Sequence, residues 1–155
     1  MKTKCLIISL LLLAAISTQA QSDGLIFKKG GKADPTANVG DVFAESLVAN
    51  PTYDVFHMIY EAGSHNDWHI HPDGYQVTLV LDGEGYYQEE GQPKRLIRKG
   101  DVVNTAPNVK HWSGATPESR VVVVTITDRT EKGHVQHLEP VTEETFNAPI
   151  STNNN

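Results

Sequence analysis

From position 41 onward the chain runs in short segments where apolar and polar residues alternate, each closed by a turn signal. Segments 41–48, 53–60, 76–81, 86–89, 95–98, 101–104 and 120–128 read as β-strands. Asn50-Pro51, Ala62-Gly63, Pro72-Asp73-Gly74, Asp82-Gly83 and Lys99-Gly100 supply the breaks between them. Many short strands with this punctuation predict an all-β sandwich or barrel rather than β-α-β units. Val121–Val124 is apolar at four consecutive positions, which predicts an inner strand. Helical periodicity is missing except at 142–147, where Thr142 stands ready to cap one short helix. The organisation that follows is a segment 1–20, an irregular polar arm 21–40, a barrel 41–140, and a short helix with a polar, disordered tail over 141–155.

The first segment has its own logic. Lys2 and Lys4 precede a twelve-residue apolar run, 5–16, and small residues lead to a cut after Ala20. That is the three-part pattern of a secretory signal peptide, and it places the mature protein in the periplasm or outside the cell. The run is short of the roughly 20 apolar residues that a membrane-spanning helix needs. Cys5 is the single cysteine, so a mature chain starting at Gln21 has no thiol. Thiolate catalysis and cysteine-type zinc sites are excluded by that count. Segment 1–20 also carries two lysines and no acid, so its removal takes the formal charge from −6 to −8. A balance this acidic argues against a nucleic-acid backbone partner and against attachment to an anionic membrane surface. At 155 residues, the chain is long enough for one domain with a sizeable core.

Chemistry concentrates in the histidines. His69 and His71 flank Ile70, which on a strand puts both imidazoles on one face. Gln76 opens the next strand, and His111 follows a second glycine turn at Gly100. Three neutral imidazoles and an amide oxygen form a good site for one divalent first-row ion. A bare H-x-H pair more often marks an exposed strand, and it is the surrounding frame that changes the reading. Residues 63–83 spell G-x5-H-x-H-x4-Q-x6-G. This resembles the first motif of the cupin superfamily, with Gln in place of the usual Glu. Segment 100–111, GDVVNTAPNVKH, resembles the second motif, although Ala106, Asn108 and Ala115 replace its usual Pro, Gly and Asn. Asn108 tolerates the left-handed turn that the glycine would take.

Within that superfamily, GYYQEEGQP, GDVV and the stretch from Pro107 to Pro117 are similar to small single-domain cupins related to carboxymuconolactone-decarboxylase-fused and hydroxynitrile lyase-like proteins. The resemblance implies a double-stranded β-helix jelly roll, a homodimer, and metal ligands His69, His71, Gln76 and His111. It favours Mn among Mn, Fe, Ni and Zn. Two positions depart from the lyase-like group: Ser113 stands where a second His is usual, and Val123 where another is often found.

Candidates for the pocket lining are His65, Tyr60, Trp112 and Ser113. His57 alternates with Phe56 and Met58, so it is expected to face away from the pocket; His134 and His137 read as surface residues. A Gln ligand leaves the metal its full formal charge, which favours a small oxygenated, anionic guest at the open positions. No carboxylate completes a two-His facial triad, which disfavours a 2-oxoglutarate oxygenase. The expected function is a metal-dependent enzyme of lyase, isomerase or dioxygenase type. The alternative is a non-catalytic cupin that binds a metal or a small acidic metabolite.

Overall fold

The computed structural model describes residues 24–150. The expected signal segment (1–20) and the expected disordered tail (151–155) lie outside the described residues. The first strands are β1 (Gly31–Lys32), β2 (Asn38–Val39), β3 (Val42–Ala49), β4 (Tyr53–Tyr60), β5 (His65–Asn66) and β6 (His69–Ile70). They are followed by β7 (Gln76–Glu89), β8 (Arg95–Arg98), β9 (Val102–Thr105), β10 (His111–Ala115), β11 (Val121–Asp128), β12 (Gln136–His137) and the helix α1 (Glu143–Asn147). No helix among the described residues is long and apolar enough to cross a membrane.

One sheet runs β1-β3-β4-β11-β7-β9, every pair antiparallel. The other is built on the far half of β7, which pairs β8 on one side and β10 on the other. β10 then pairs β5 and β6, with β2 and β12 outermost. The result is the expected all-β jelly roll, with one short C-terminal helix among the described residues.

Three departures from the sequence expectation have local causes. Asp82-Gly83 is no turn: β7 continues through it as one 14-residue strand. Gly83 has φ +76°, and a Cβ there would stand 1.9 Å from the Arg120 carbonyl oxygen. The register slips at the neighbouring Val122/Val123 step, so this glycine serves a β-bulge where β7 passes from one sheet to the other. Segment 111–115, interrupted by Ser113 and Gly114, is nonetheless strand β10. The arm is not wholly irregular either, because β1 joins β3 and β2 joins β5, carrying the chain from one sheet across to the other.

Between the sheets lie Val42, Val80, Ile97, Val103, Val121 and Val123, with Tyr60 and Tyr87. Burying each such aliphatic side chain contributes about 1.5–3 kcal/mol. Val121–Val124 is buried at all four positions, as an inner strand requires. On the outside of β10, Trp112 is fully buried beneath Phe146 of α1, ring centroids 5.9 Å apart. Thr142 caps that helix, its Oγ1 accepting from the Thr145 N–H at 3.1 Å. Lys94 Nζ donates to the Phe146 carbonyl and lies 4.1 Å over the Tyr86 ring.

Candidate metal centre

The H-x-H segment occupies β6 and the residue after it, and His111 begins β10 directly opposite His69. The His69 and His111 ring centroids are 4.1 Å apart, and His71 lies 5.3 and 5.2 Å from them. All three side chains are buried, and their ligand atoms fall within 4.8 Å of one another. The backbone settles which nitrogen faces inward. His69 Nδ1 meets the Asp67 carbonyl at 2.9 Å, His71 Nδ1 that of His134 at 2.6 Å, and His111 Nδ1 that of Val109 at 2.9 Å. A carbonyl only accepts, so each Nδ1 carries the hydrogen and each Nε2 keeps its lone pair. The Nε2 atoms of His71 and His111 are buried without a hydrogen-bond partner among the described residues. Burying such a nitrogen unpaired costs free energy, and a cation bound there would relieve it.

Charge follows the same direction. Burial holds His69 well below the usual imidazole range, and His111 pushes further the same way. Burial also lowers His71, and lowers His111 to about 4. The three rings are therefore neutral at pH 7, the form that binds metal. Gln76 opens β7 beside them and lines the same cavity as His69 and His71. Its Nε2 donates to Thr127 Oγ1 at 3.2 Å, and its Oε1 accepts from Thr78 Oγ1 at 3.4 Å. Asn108 adopts φ +63°, the left-handed turn its motif position needs, and its amide N–H donates to the His71 carbonyl at 3.0 Å. That turn anchors the ligand loop from the second motif.

The centre opens into a cavity of ≈370 Å³. Its polar wall includes His69, His71, Gln76, Asn66 and Thr127 and the carboxylate of Asp34. Phe56, Met58 and three alanines, Ala33, Ala37 and Ala44, form the apolar one. No Lys or Arg among the described residues lines it. Of the four pocket candidates, Tyr60 lines this cavity, and Ser113 a small deeper one of ≈20 Å³ shared with His69 and Gln76. Asn66 links the two, donating to Tyr60 Oη at 3.1 Å and accepting from the Ser113 N–H at 2.8 Å.

The structure does not bring His65 or Trp112 to the cavity. His65 stacks on Phe146 at 5.0 Å and meets Trp112 edge-on at 5.8 Å, under α1 on the outer face. Period-2 alternation explains Trp112: it points opposite to His111. His57 faces away from the cavity as expected, fully buried beneath the arm, with Nδ1 2.9 Å from the Lys28 carbonyl. His134 and His137, read from the sequence as surface residues, also line the cavity, His137 as an exposed residue and His134 half-buried. β12 brings them there by pairing with β6, a long-range contact that two separated histidines do not announce.

A cupin-domain family model matches residues 56–127. The chain is 38% identical over 89 residues to an (R)-mandelonitrile lyase of Granulicella tundricola, an overlap spanning 57% of this chain and 67% of that protein. Among solved structures it is similar to a cupin-like protein from Thermotoga maritima, with 38% identity and a TM-score of 0.74 over 78% of this chain and 93% of the other. A double-stranded β-helix protein from Klebsiella pneumoniae shares the fold at 16% identity, with a TM-score of 0.60 over 74% and 96% of the two chains.

Proposed function

The chain belongs to the cupin family, and within it we propose a metal-dependent enzyme of lyase type acting on a small oxygenated molecule whose oxygen carries or develops negative charge. The observation that carries this reading is the trio of imidazoles whose Nδ1–H groups are held by backbone carbonyls while their Nε2 atoms turn to one buried point. A divalent ion bound there by His69, His71, His111 and Gln76 supplies Lewis acidity toward a substrate oxygen. Gln76, being neutral, leaves the ion's charge undiminished for an oxyanion. Tyr60, which lines the same cavity as His69 and Gln76, is the proposed donor. Burial pushes its hydroxyl up to about 12, so it stays protonated, and because that oxygen already accepts from Asn66, its hydrogen is free to point into the cavity. The apolar wall of Phe56 and Met58 suits the carbon body of a substrate.

The finer reading places the protein with the hydroxynitrile lyase-like cupins related to carboxymuconolactone-decarboxylase-fused proteins, as an exported homodimer using Mn. The similarity to a mandelonitrile lyase supports an α-hydroxynitrile or a 2-hydroxy acid as guest. Light scattering checks the dimer, and a monomer at high micromolar concentration would refute it. The test of function is turnover of a panel of cyanohydrins (mandelonitrile included), 2-hydroxy acids and phenols by Mn-, Fe- and Zn-loaded protein. Turnover of any member that the His111→Ala variant lacks supports the enzyme. Saturable binding with no turnover favours the alternative, a non-catalytic binding cupin, for which Ser113 in place of a second histidine is the specific observation.

A further inference from the structure

Asp54 is a fully buried carboxylate for which the site chemistry above has no use. It sits on β4, opposite Thr127 of β11. Arg129 Nη2 donates to both of its oxygens, at 2.8 and 2.7 Å, and His134 Nδ1 lies 3.4 Å from Oδ2. Arg129 is also the first residue of a strap, 129–137, that leads from β11 to the end of β12.

The strap embraces the ligand segment at one point after another. Thr130 Oγ1 donates to the Pro72 carbonyl at 2.9 Å, and Lys132 Nζ pairs with Asp73 at 2.7 Å. The His134 carbonyl accepts from His71 Nδ1 at 2.6 Å. Gln136 and His137 pair with Ile70 and His69. The strap therefore supplies the hydrogen bond that orients one candidate ligand and the strand pairing that backs another. Its point of departure is held by an ion pair on a carboxylate buried out of water, where few other cations can replace Arg129.

We propose that Asp54 and Arg129 are positioning residues for the metal centre. They clamp the strap so that the His134 carbonyl holds the His71 ring with its Nε2 turned to the metal position. The proposal rests on the reading of His69, His71 and His111 as metal ligands. Groups that orient a metal-bound imidazole are worth about 10–100-fold in metal affinity. Asp54 reaches His71 through the strap, and loss of the clamp is expected to fall in that range.

The probe is Co(II), whose affinity is read by chelator competition and whose coordination is read by visible absorption. Asp54→Asn and Arg129→Met should weaken Co(II) binding about 10–100-fold and shift the absorption bands. Arg129→Lys, which keeps a cation beside Asp54, should recover part of the affinity. Ile59→Val, a fully buried change on β4 remote from the strap, should lower the melting temperature and leave Co(II) affinity and spectrum as in wild type. Wild-type affinity and spectrum in both Asp54→Asn and Arg129→Met would overturn the proposal, whatever their melting temperatures. Should either variant fail to fold, hydrogen exchange on the wild type decides. Co(II) should slow amide exchange in 130–137 and leave the amides of α1 unchanged, and an unprotected strap would overturn the proposal. The underlying reading has a separate check: stoichiometric Co(II) in His69→Ala/His71→Ala would dismiss the ligand set itself.

Discussion

Replacing His111 by Leu separates what the imidazole cluster costs the fold from what it does for a metal. His111 is fully buried, and its Nε2 has no hydrogen-bond partner among the described residues. Without metal, the replacement loses the Nδ1 bond to the Val109 carbonyl, about 1 kcal/mol, and removes an unpaired buried nitrogen that costs about 1–3 kcal/mol. The His69 ring at 4.1 Å leaves little room, and the added bulk takes back some of that gain. The metal-free variant should thus be as stable as wild type or up to about 2 kcal/mol more stable. Metal reverses the order. At a hundred times its dissociation constant, a bound ion stabilises the wild type by about 2.7 kcal/mol. For a chain of this size that raises the melting temperature by about 5–11 °C. The variant, short of one imidazole, should gain little. Thermal melts followed by circular dichroism, with EDTA and then with excess Mn or Zn, read both halves. His57 is the control: it too is fully buried with an unpaired Nε2, but under the arm on the opposite face. His57→Leu should alter the metal-free melting temperature and leave the metal-induced rise intact. The reasoning fails if His111→Leu melts far below wild type in EDTA, or if metal raises its melting temperature as much as it raises that of wild type.

Gln76→Glu should hold metal at least as tightly and bind an anion such as citrate more weakly. One added charge about 4 Å from the guest removes roughly 4 kcal/mol of attraction at an effective dielectric near 20, before relaxation reduces it; equal anion affinity by calorimetry would take Gln76 out of contact with the ion. Phe146→Ala, which unstacks His65 and Trp112 on the outer face, should cost about 2 kcal/mol of stability in denaturant titration while metal content stays at the wild-type level. The exported protein should begin at or near Gln21, and a mass spectrum that retains Met1–Ala20 would refute the signal segment.

The strands were legible wherever a run alternated between clean breaks, as in β4 and β8, whose bounds match the expected segments. β10 was not, because Gly114 is there for space: a Cβ at that position would stand 2.4 Å from the His65 Cβ. A glycine required by a close approach looks, in sequence, like a glycine that ends a strand. His69, His71 and His111 were legible because the jelly roll returns β10 to β6 at a loop distance that the glycine frame encodes. His65 and Trp112 misled for a plain reason: closeness in sequence to a ligand says nothing about the face, and alternation turned Trp112 outward. The walls of the cavity were less visible still. Ala33, Ala37 and Val135 come from segments of little periodicity, placed only when β1, β2 and β12 find their partners. Asp54 and Arg129 lie 75 positions apart, and no local signal joins them.

The central claim is that one divalent ion binds where the three Nε2 atoms meet. Elemental analysis of protein purified from its native compartment, wild type beside His69→Ala/His71→Ala, tests it most directly. The account predicts close to one equivalent of a first-row divalent ion per wild-type chain and almost none in the double variant. A stoichiometric ion in both proteins, or none in the wild type even after metal loading, would contradict it.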